Sequence, residues 1–133
     1  GVIDILVTDH APHAAHEKEV PFDEAPNGIS GLDTALSLTY ELVRSGELDF
    51  ADIAKLWCWN TATIFGLPAN AFKAGDPADF ILFDADSAWM VTPEAMMSKS
   101  KNTPCLHKEI PGRVIAHFLG GKAIFLREGR TLT

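Results

Sequence analysis

The stretch Val2-Ile3-Asp4-Ile5-Leu6-Val7-Thr8-Asp9-His10-Ala11-Pro12-His13 decides how the rest of this chain is read. It opens with an apolar run of strand length, rich in β-branched side chains and broken only by Asp4. Such a run reads as a strand buried on both faces, and a strand of that kind must pair with neighbours. Polar residues begin at its carboxyl end. In parallel α/β barrels that is where catalytic groups gather, because the strand fixes the backbone while the loop varies. A carboxylate at Asp9 can bind a metal or act as a general base, and the imidazoles of His10 and His13 can ligate, donate hydrogen bonds or carry protons. An Asp-His pair in a loop is also a common hydrogen-bonded turn, so the residues by themselves leave both readings open. His10, His13 and His16 recur every three residues, yet Pro12 and the single nearby carboxylate make a closed four-ligand zinc shell hard to build locally. The run follows Gly1 directly, without Met, which reads as a fragment or a processed piece of a longer polypeptide.

The bulk properties narrow the class. With 133 residues, 47% hydrophobic and 22% charged, the chain has the composition of a globular domain with one real core or two small half-domains. A net charge of −7 with scattered charges argues against a nucleic-acid-binding surface, which needs clustered Lys and Arg. No apolar run approaches the roughly 18–20 residues needed to cross a membrane, and no signal peptide is visible, so a cytoplasmic location is expected. Cys58 and Cys105 are far apart with no C-x-x-C spacing, and free thiols are expected.

Two halves emerge along the chain. Residues 8–31 form a long polar segment with three prolines, and loops of that length inside a domain are usually functional or disordered. Ser30 reads as a helix N-cap, with Asp33 three residues on as in a capping box. Leu32, Ala35, Leu36, Thr39, Leu42 and Val43 then give an apolar helical face that Gly46 ends. Asp49 and Asp52 repeat the capping pattern for a second helix burying Ile53, Leu56 and Trp57, and a further helical turn from Asn60 stops at Gly66-Leu67-Pro68. Beyond it the pattern turns β-like: residues 78–83, a short piece at Trp89-Met90-Val91, and strands at 114–119 and 122–125 flanking Gly120-Gly121, a tight hairpin turn. Residues 1–66 thus read as strand, loop and helices, and residues 67–133 as a small β-rich unit.

Several blocks, in order, carry a resemblance. Asp9-His10-Ala11-Pro12-His13, Glu17-Lys18 and Ala25-Pro26-Asn27-Gly28-Ile29-Ser30-Gly31-Leu32-Asp33-Thr34 resemble the sequence following the last barrel strand of class I dihydroorotases, in the amidohydrolase superfamily. Asn60-Thr61-Ala62-Thr63-Ile64-Phe65-Gly66-Leu67 resembles that family's N-P-A-x-x-F-G-L segment, Gly75-Asp76-Pro77-Ala78-Asp79-Phe80 its G-x-x-A-D segment, and Ser98-Lys99-Ser100-Lys101-Asn102-Thr103-Pro104 its S-K-x-x-N-T-P run. The D-H-A-P-H block is the discriminating one, since hydantoinases and allantoinases usually change the residues after Asp-His.

The resemblance implies an α/β fold: a fragment of a metal-dependent-hydrolase (β/α)8 TIM barrel, its last strand plus helices in residues 1–66, followed by a small β-rich composite domain in 67–133. It implies a reversible reaction, closure of N-carbamoyl-L-aspartate to dihydroorotate in de novo pyrimidine biosynthesis, with one or two zinc ions in the full-length enzyme. Asp9 matches the catalytic Asp that also contacts the metal; it takes the proton of the attacking water and passes it to the leaving nitrogen. His13 matches a substrate-contacting histidine suited to the substrate's exocyclic carboxylate. Asn27 and Gly28 match a Phe-Gly pair that holds the pyrimidine ring largely through backbone groups, and His10 is a supporting residue that orients Asp9. The remaining metal ligands belong to upstream strands, so the resemblance implies that this polypeptide by itself is inactive and binds zinc weakly or not at all. The implied partners are the small-molecule substrate, the missing N-terminal part of the barrel, further copies in a homo-oligomer and aspartate carbamoyltransferase; no nucleic acid and no membrane are implied. Asn27 in place of Phe, Thr61 of Pro, Cys105 of Phe and His107 of Gly depart from the family pattern. They keep two alternatives in view: a non-catalytic dihydroorotase-like structural subunit, and a related cyclic-amide hydrolase such as an allantoinase or dihydropyrimidinase. By the residues alone, Trp57 reads as core, Lys99 and Lys101 as solvated, Asp79 as bonding backbone in a turn, His117 as a packed strand residue, and Phe80, Phe83, Phe118 and Phe125 as the core of the β unit.

Overall fold

The computed structural model describes residues 2–127; Gly1 and residues 128–133, the two ends of the expected halves, lie outside the described residues. Helices come first: α1 (Ala15–Lys18), α2 (Ala35–Arg44), α3 (Phe50–Ala54), a π-helical turn (Lys55–Trp59) and α4 (Asn60–Phe65), followed by strands β1 (Phe80–Met90), β2 (Glu109–Leu119) and β3 (Lys122–Leu126). The three strands form one antiparallel sheet in the order β1-β2-β3.

The sheet is where burial concentrates. Val91 is 0% and Ile110 3% exposed, and they pack with Trp89, Met96 and Cys105 into the core. The two expected β pieces at 78–83 and 89–91 are one strand: β1 runs through residues 84–88 by a register irregularity opposite Arg113 and Pro111. An extra unpaired residue bends a strand without ending it, and Pro111, which cannot donate to a ladder, sits where pairing is already broken. Phe80 and Phe118 face each other across the strands with ring centroids 4.7 Å apart. The Gly120-Gly121 turn connects Leu119 to its partner Lys122 as the hairpin pattern predicts. Asp79 accepts the Gly120 N–H, so its carboxylate bonds backbone in the turn as expected.

Helix α2 lies against β2. Of the expected face, Thr39 is buried, Ala35, Leu36 and Val43 are half-buried, and Leu42 and Leu32 (which precedes the helix) are exposed; Ser37, outside that face, is buried as well. The contact is close at Gly112, where φ is 72° and a Cβ would fall 2.1 Å from Phe83 Cζ and 2.8 Å from Tyr40 Cδ1. A small polar residue suits that approach. Ser37 Oγ donates to the Gly112 carbonyl (2.9 Å) and accepts from Trp89 Nε1 (3.1 Å). A buried hydroxyl engaged in both directions satisfies two other buried groups. At the far end of α2, Gly46 N–H donates to Val43 O and Glu47 N–H to Leu42 O, closing the helix as Gly46 led us to expect.

The start of α2 corrects the capping expectation. The helix begins at Ala35 with Thr34 as N-cap, and neither Ser30 nor Asp33 caps it. Asp33 instead accepts the N–H groups of Met97 (2.7 Å) and Ser98 (3.3 Å), and Ser30 Oγ donates to Ser100 O (3.0 Å). Both side chains are recruited by a segment more than sixty residues away, which no local pattern contains. The second capping box does form: Asp52 N–H donates to Asp49 Oδ1 and Asp49 N–H to Asp52 Oδ2. From Phe50 to Phe65 the helical run is continuous through the π turn, and Trp57 is half-buried with its Nε1 donating to Thr39 Oγ1.

The opening run is the largest departure. Residues 2–9 are not assigned to a strand, and Val2 and Val7 are 97% and 69% exposed. Strand pairing needs a neighbour with a matching row of N–H and C=O groups, and among the described residues none lies alongside. The segment is tied to the helical run instead: Leu6 N–H donates to Leu56 O (3.1 Å) and Asn60 Nδ2 to Asp4 O (2.6 Å). A π turn shifts the intrahelical hydrogen-bond pattern, and here a carbonyl within it accepts a donor from outside the helix.

Candidate active site

The long segment after residue 8 folds back on itself. Asp9 sits in the left-handed region (φ 43°), unusual for a residue with a Cβ but tolerated best by Asp and Asn, and it turns the chain out of the extended run. Its carboxylate is on an exposed residue. Immediately after, His10 forms a parallel bridge with Ile29, and Ala11 N–H donates to Ile29 O (3.0 Å). This bridge brings residues 9–13 beside residues 27–29, which the sequence separates by a long loop.

His10 does not use its Nδ1 on Asp9. That nitrogen accepts the N–H groups of Gly31 (3.1 Å) and Leu32 (3.2 Å). An acceptor nitrogen carries no proton, so the neutral ring holds its hydrogen on Nε2. His10 Nδ1 is thus spent on the turn leading into α2. His13 places Nε2 2.9 Å from Asn27 O, and since a carbonyl only accepts, Nε2 is the donor. Its Nδ1 lies 3.9 Å from Glu17 Oε2. Glu17 in turn accepts the Ala14 N–H (2.7 Å), fixing the single turn of α1.

Gly28 is where the loop comes closest to the Asp9–His13 arm. Its φ is +121°, and a Cβ there would lie 2.5 Å from Ala11 Cβ and 3.2 Å from His13 Nε2. No larger residue fits that backbone or that gap. Asn27, the departure from the family pattern, is exposed and engages His13 through its backbone carbonyl. Of the expected site positions, His13, Asn27 and Gly28 are brought together, while Asp9 lies on the arm leading into them.

Two groups at this site were not assigned from the sequence. Lys18 Nζ donates to the carbonyls of Pro26 and Gly28, the latter at 2.9 Å. Asn102 Nδ2 donates to Gly28 O (3.2 Å), and its backbone carbonyl accepts the Ser30 N–H (2.8 Å). The signal available for both was membership in the quoted motifs, but no spacing rule says that residue 102 meets residue 28. Lys101, expected to be solvated, is half-buried and donates to Met96 O and Ser98 O. Backbone carbonyls at a chain reversal need donors, and a flexible ammonium with three protons can serve several. Lys99 stays exposed.

A cleft of about 720 Å³ opens beside these groups, lined by His13, Lys18, Lys99, Lys101 and Asn102 among others. Asp9 does not line it. The cleft follows the loop's holders, whereas the acid lies on the extended arm that leads into them. As a metal site, the chain's own donors are insufficient. Among the described residues no three His, Cys, Asp or Glu side chains converge, and a catalytic zinc needs about three protein ligands. Asp9 can supply one ligand; these residues do not by themselves fit a metal centre. Among the described residues no helix is long and apolar enough to cross a membrane.

The described elements make an α/β chain, helices first and an antiparallel sheet after them. The described structure superposes on L-hydantoinase (dihydropyrimidinase) from Arthrobacter aurescens with a TM-score of 0.86 at 27% identity, covering 100% of this chain and 31% of that one. It superposes on D-hydantoinase (dihydropyrimidinase) from a Thermus species with a TM-score of 0.83 at 25% identity, covering 98% of this chain and 30% of that one. These neighbours support the barrel-family fragment that the sequence resemblance implied. A family model described as the amidohydrolase family matches residues 1–123, and the chain belongs to that family. Among curated relatives, it is 41% identical over 125 residues to a dihydroorotase of Trichlorobacter lovleyi, covering 94% of this chain and 29% of the relative. It is 42% identical over 125 residues to a dihydroorotase of Chlorobaculum tepidum, covering 93% of this chain and 28% of the relative. The chain thus spans about three-tenths of the length of the relatives it matches.

Proposed function

We propose that this chain is part of a dihydroorotase, an enzyme that interconverts N-carbamoyl-L-aspartate and dihydroorotate, with residues 1–66 belonging to its barrel and residues 67–133 to a smaller β-rich composite domain. The observation that carries the reading is the joining of the Asp9–His13 arm to the Asn27–Gly28 loop, in a chain about 40% identical to proteins named dihydroorotases. Asp9 is the proton carrier: in hydrolysis its carboxylate takes a proton from the attacking water and delivers it to the departing ring nitrogen, and in ring closure it runs the same transfer in reverse. Zinc, one or two ions held chiefly by other parts of the protein with Asp9 contributing, would supply polarisation of the amide carbonyl and acidification of water. His13 and the backbone at Asn27 and Gly28 face the substrate, the histidine ring being held in place by its Nε2 donation to Asn27 O.

In the full-length protein, Asp9→Ala is expected to lower turnover of dihydroorotate by about 100-fold or more, the range general acid–base groups contribute. The circular dichroism spectrum should be unchanged. A turnover rate near that of the wild type removes Asp9 from its role. A second reading, a hydantoinase or dihydropyrimidinase, is favoured by the superposition on those enzymes. Parallel assays on dihydroorotate, hydantoin and dihydrouracil separate the two.

A further inference from the structure

We propose that Lys18 and Asn102 are positioning residues for substrate binding, holding the Gly28 peptide in the orientation in which the loop meets the ring. The inference rests on the reading of Asn27 and Gly28 as the substrate loop. Three consecutive carbonyls of that loop accept side-chain donors: Pro26 from Lys18, Asn27 from His13 at 2.9 Å, and Gly28 from both Lys18 at 2.9 Å and Asn102 at 3.2 Å. A peptide unit is planar and trans, so fixing its carbonyl also fixes the N–H at its other end, pointing the opposite way. His13 thereby sets the Gly28 N–H, and Lys18 with Asn102 sets the Ile29 N–H. Two donors on the Gly28 oxygen occupy both of its lone pairs, so that oxygen is withdrawn from any ligand.

Glycine makes this restraint necessary. At φ +121° the backbone of Gly28 has more freedom than that of any other residue type, and the Cβ that would limit it has no room beside Ala11. External donors supply the rigidity. Asn102 is suited to this because it grips both sides of Ile29, its amide on Gly28 O and its own carbonyl on the Ser30 N–H at 2.8 Å. Ser30 is 1% exposed and tied to Ser100, so the grip is anchored in packed structure. Lys18 closes from the opposite arm, part-buried and directed at two carbonyls, unlike exposed Lys99. A lysine required only for surface charge would keep its ammonium in water.

The test uses the full-length protein with three variants. Asn102→Asp is isosteric and replaces the donor facing Gly28 O with an oxygen; Lys18→Met removes the donor and keeps the stem; Lys18→Arg keeps donors. Hydrogen exchange reads the clamp without any ligand: N102D and K18M should speed exchange across residues 26–30 while β1 and β2 keep their protection. Kinetics read its use: both variants should raise KM about tenfold or more, with kcat within about threefold of wild type, and K18R should restore KM to within about threefold. Unchanged exchange in the loop overturns the proposal. So does an unchanged KM accompanied by lower turnover, the signature of a smaller folded fraction. A wild type that turns over hydantoin but not dihydroorotate overturns the substrate reading, and the clamp is then judged by the same exchange and KM readouts on hydantoin.

Discussion

The arm and loop of residues 9–31 and the α2–sheet unit are held by different forces. Between the sheet and the β1–β2 connection, Trp89, Val91, Met96, Cys105 and Ile110 exclude water, and even the polar Ser37 is buried with both its hydrogen-bonding capacities used. In the loop no residue of α1 is buried, Phe22 and Ile29 are exposed, and the geometry is set by side chains reaching backbone groups: His10 to Gly31 and Leu32, His13 to Asn27, Lys18 to Pro26 and Gly28. Apolar burial is non-directional and tolerates small shifts, whereas a hydrogen bond fixes distance and angle. A loop that presents backbone groups to a ligand benefits from the second kind of support. Where the two regions meet, at Ser30, Asp33 and residues 97–102, hydrogen bonds of the loop kind are anchored in burial of the sheet kind.

The strongest challenge to this contrast is Gly112→Ala. Its Cβ would collide with Phe83 and Tyr40 at a positive φ, so a destabilisation of roughly 3 kcal/mol or more is expected in urea denaturation of the full-length protein. A change below about 0.5 kcal/mol, typical of a surface site, would show that the helix–sheet contact is not tightly packed. A smaller effect is expected at the seam. Ser30→Ala removes the donor to Ser100 O and leaves a part-buried carbonyl short of a partner, for a loss of about 1 kcal/mol. Exchange should rise in residues 27–31 and 98–102 together; a rise confined to one of them breaks the claim that the two are joined there.

The smallest effect is at Glu94, on the loop after β1. Its carboxyl is held below the usual range first by its own backbone N–H and then by the Thr92 hydroxyl. A depressed folded-state pKa adds stability above the unfolded value, which is lost as pH falls through the folded value. The stability difference between wild type and Glu94→Gln should therefore be present at neutral pH and vanish in acid, and it should be slight because the group is in water. A difference that grows with acidity has the opposite sign and would discard this account.

Much of the site was legible because its residues are chemically distinctive. An Asp-His pair at the end of an apolar run, histidines that recur at short spacing and a glycine in a polar loop each carry a physical reason, and the structure brings His13, Asn27 and Gly28 together. Lys18 and Asn102 sit within the family-like blocks, but nothing local in the sequence marks a role for either. A lysine looks the same on paper whether its ammonium meets water or two carbonyls, and the partner of Asn102 lies 74 residues away. Ser30 and Asp33 were misread for the same reason: a capping box is a local pattern, and distant backbone groups took both side chains.

The sequence by itself determined the helices with complete local signals, such as the Asp49–Asp52 box, the hairpin at Gly120-Gly121, and the chemical character of the Asp9–His13 arm. Those depend on neighbours within a few residues, where geometry follows from backbone sterics and short-range hydrogen bonds. Only the tertiary structure decided that residues 2–9 lie unpaired against the π turn, that Ser37 is buried between Gly112 and Trp89, and that Gly28 is clamped from both sides. Each of these depends on which distant carbonyl or ring arrives at a site, and the hydrophobic pattern of a single segment holds no record of that.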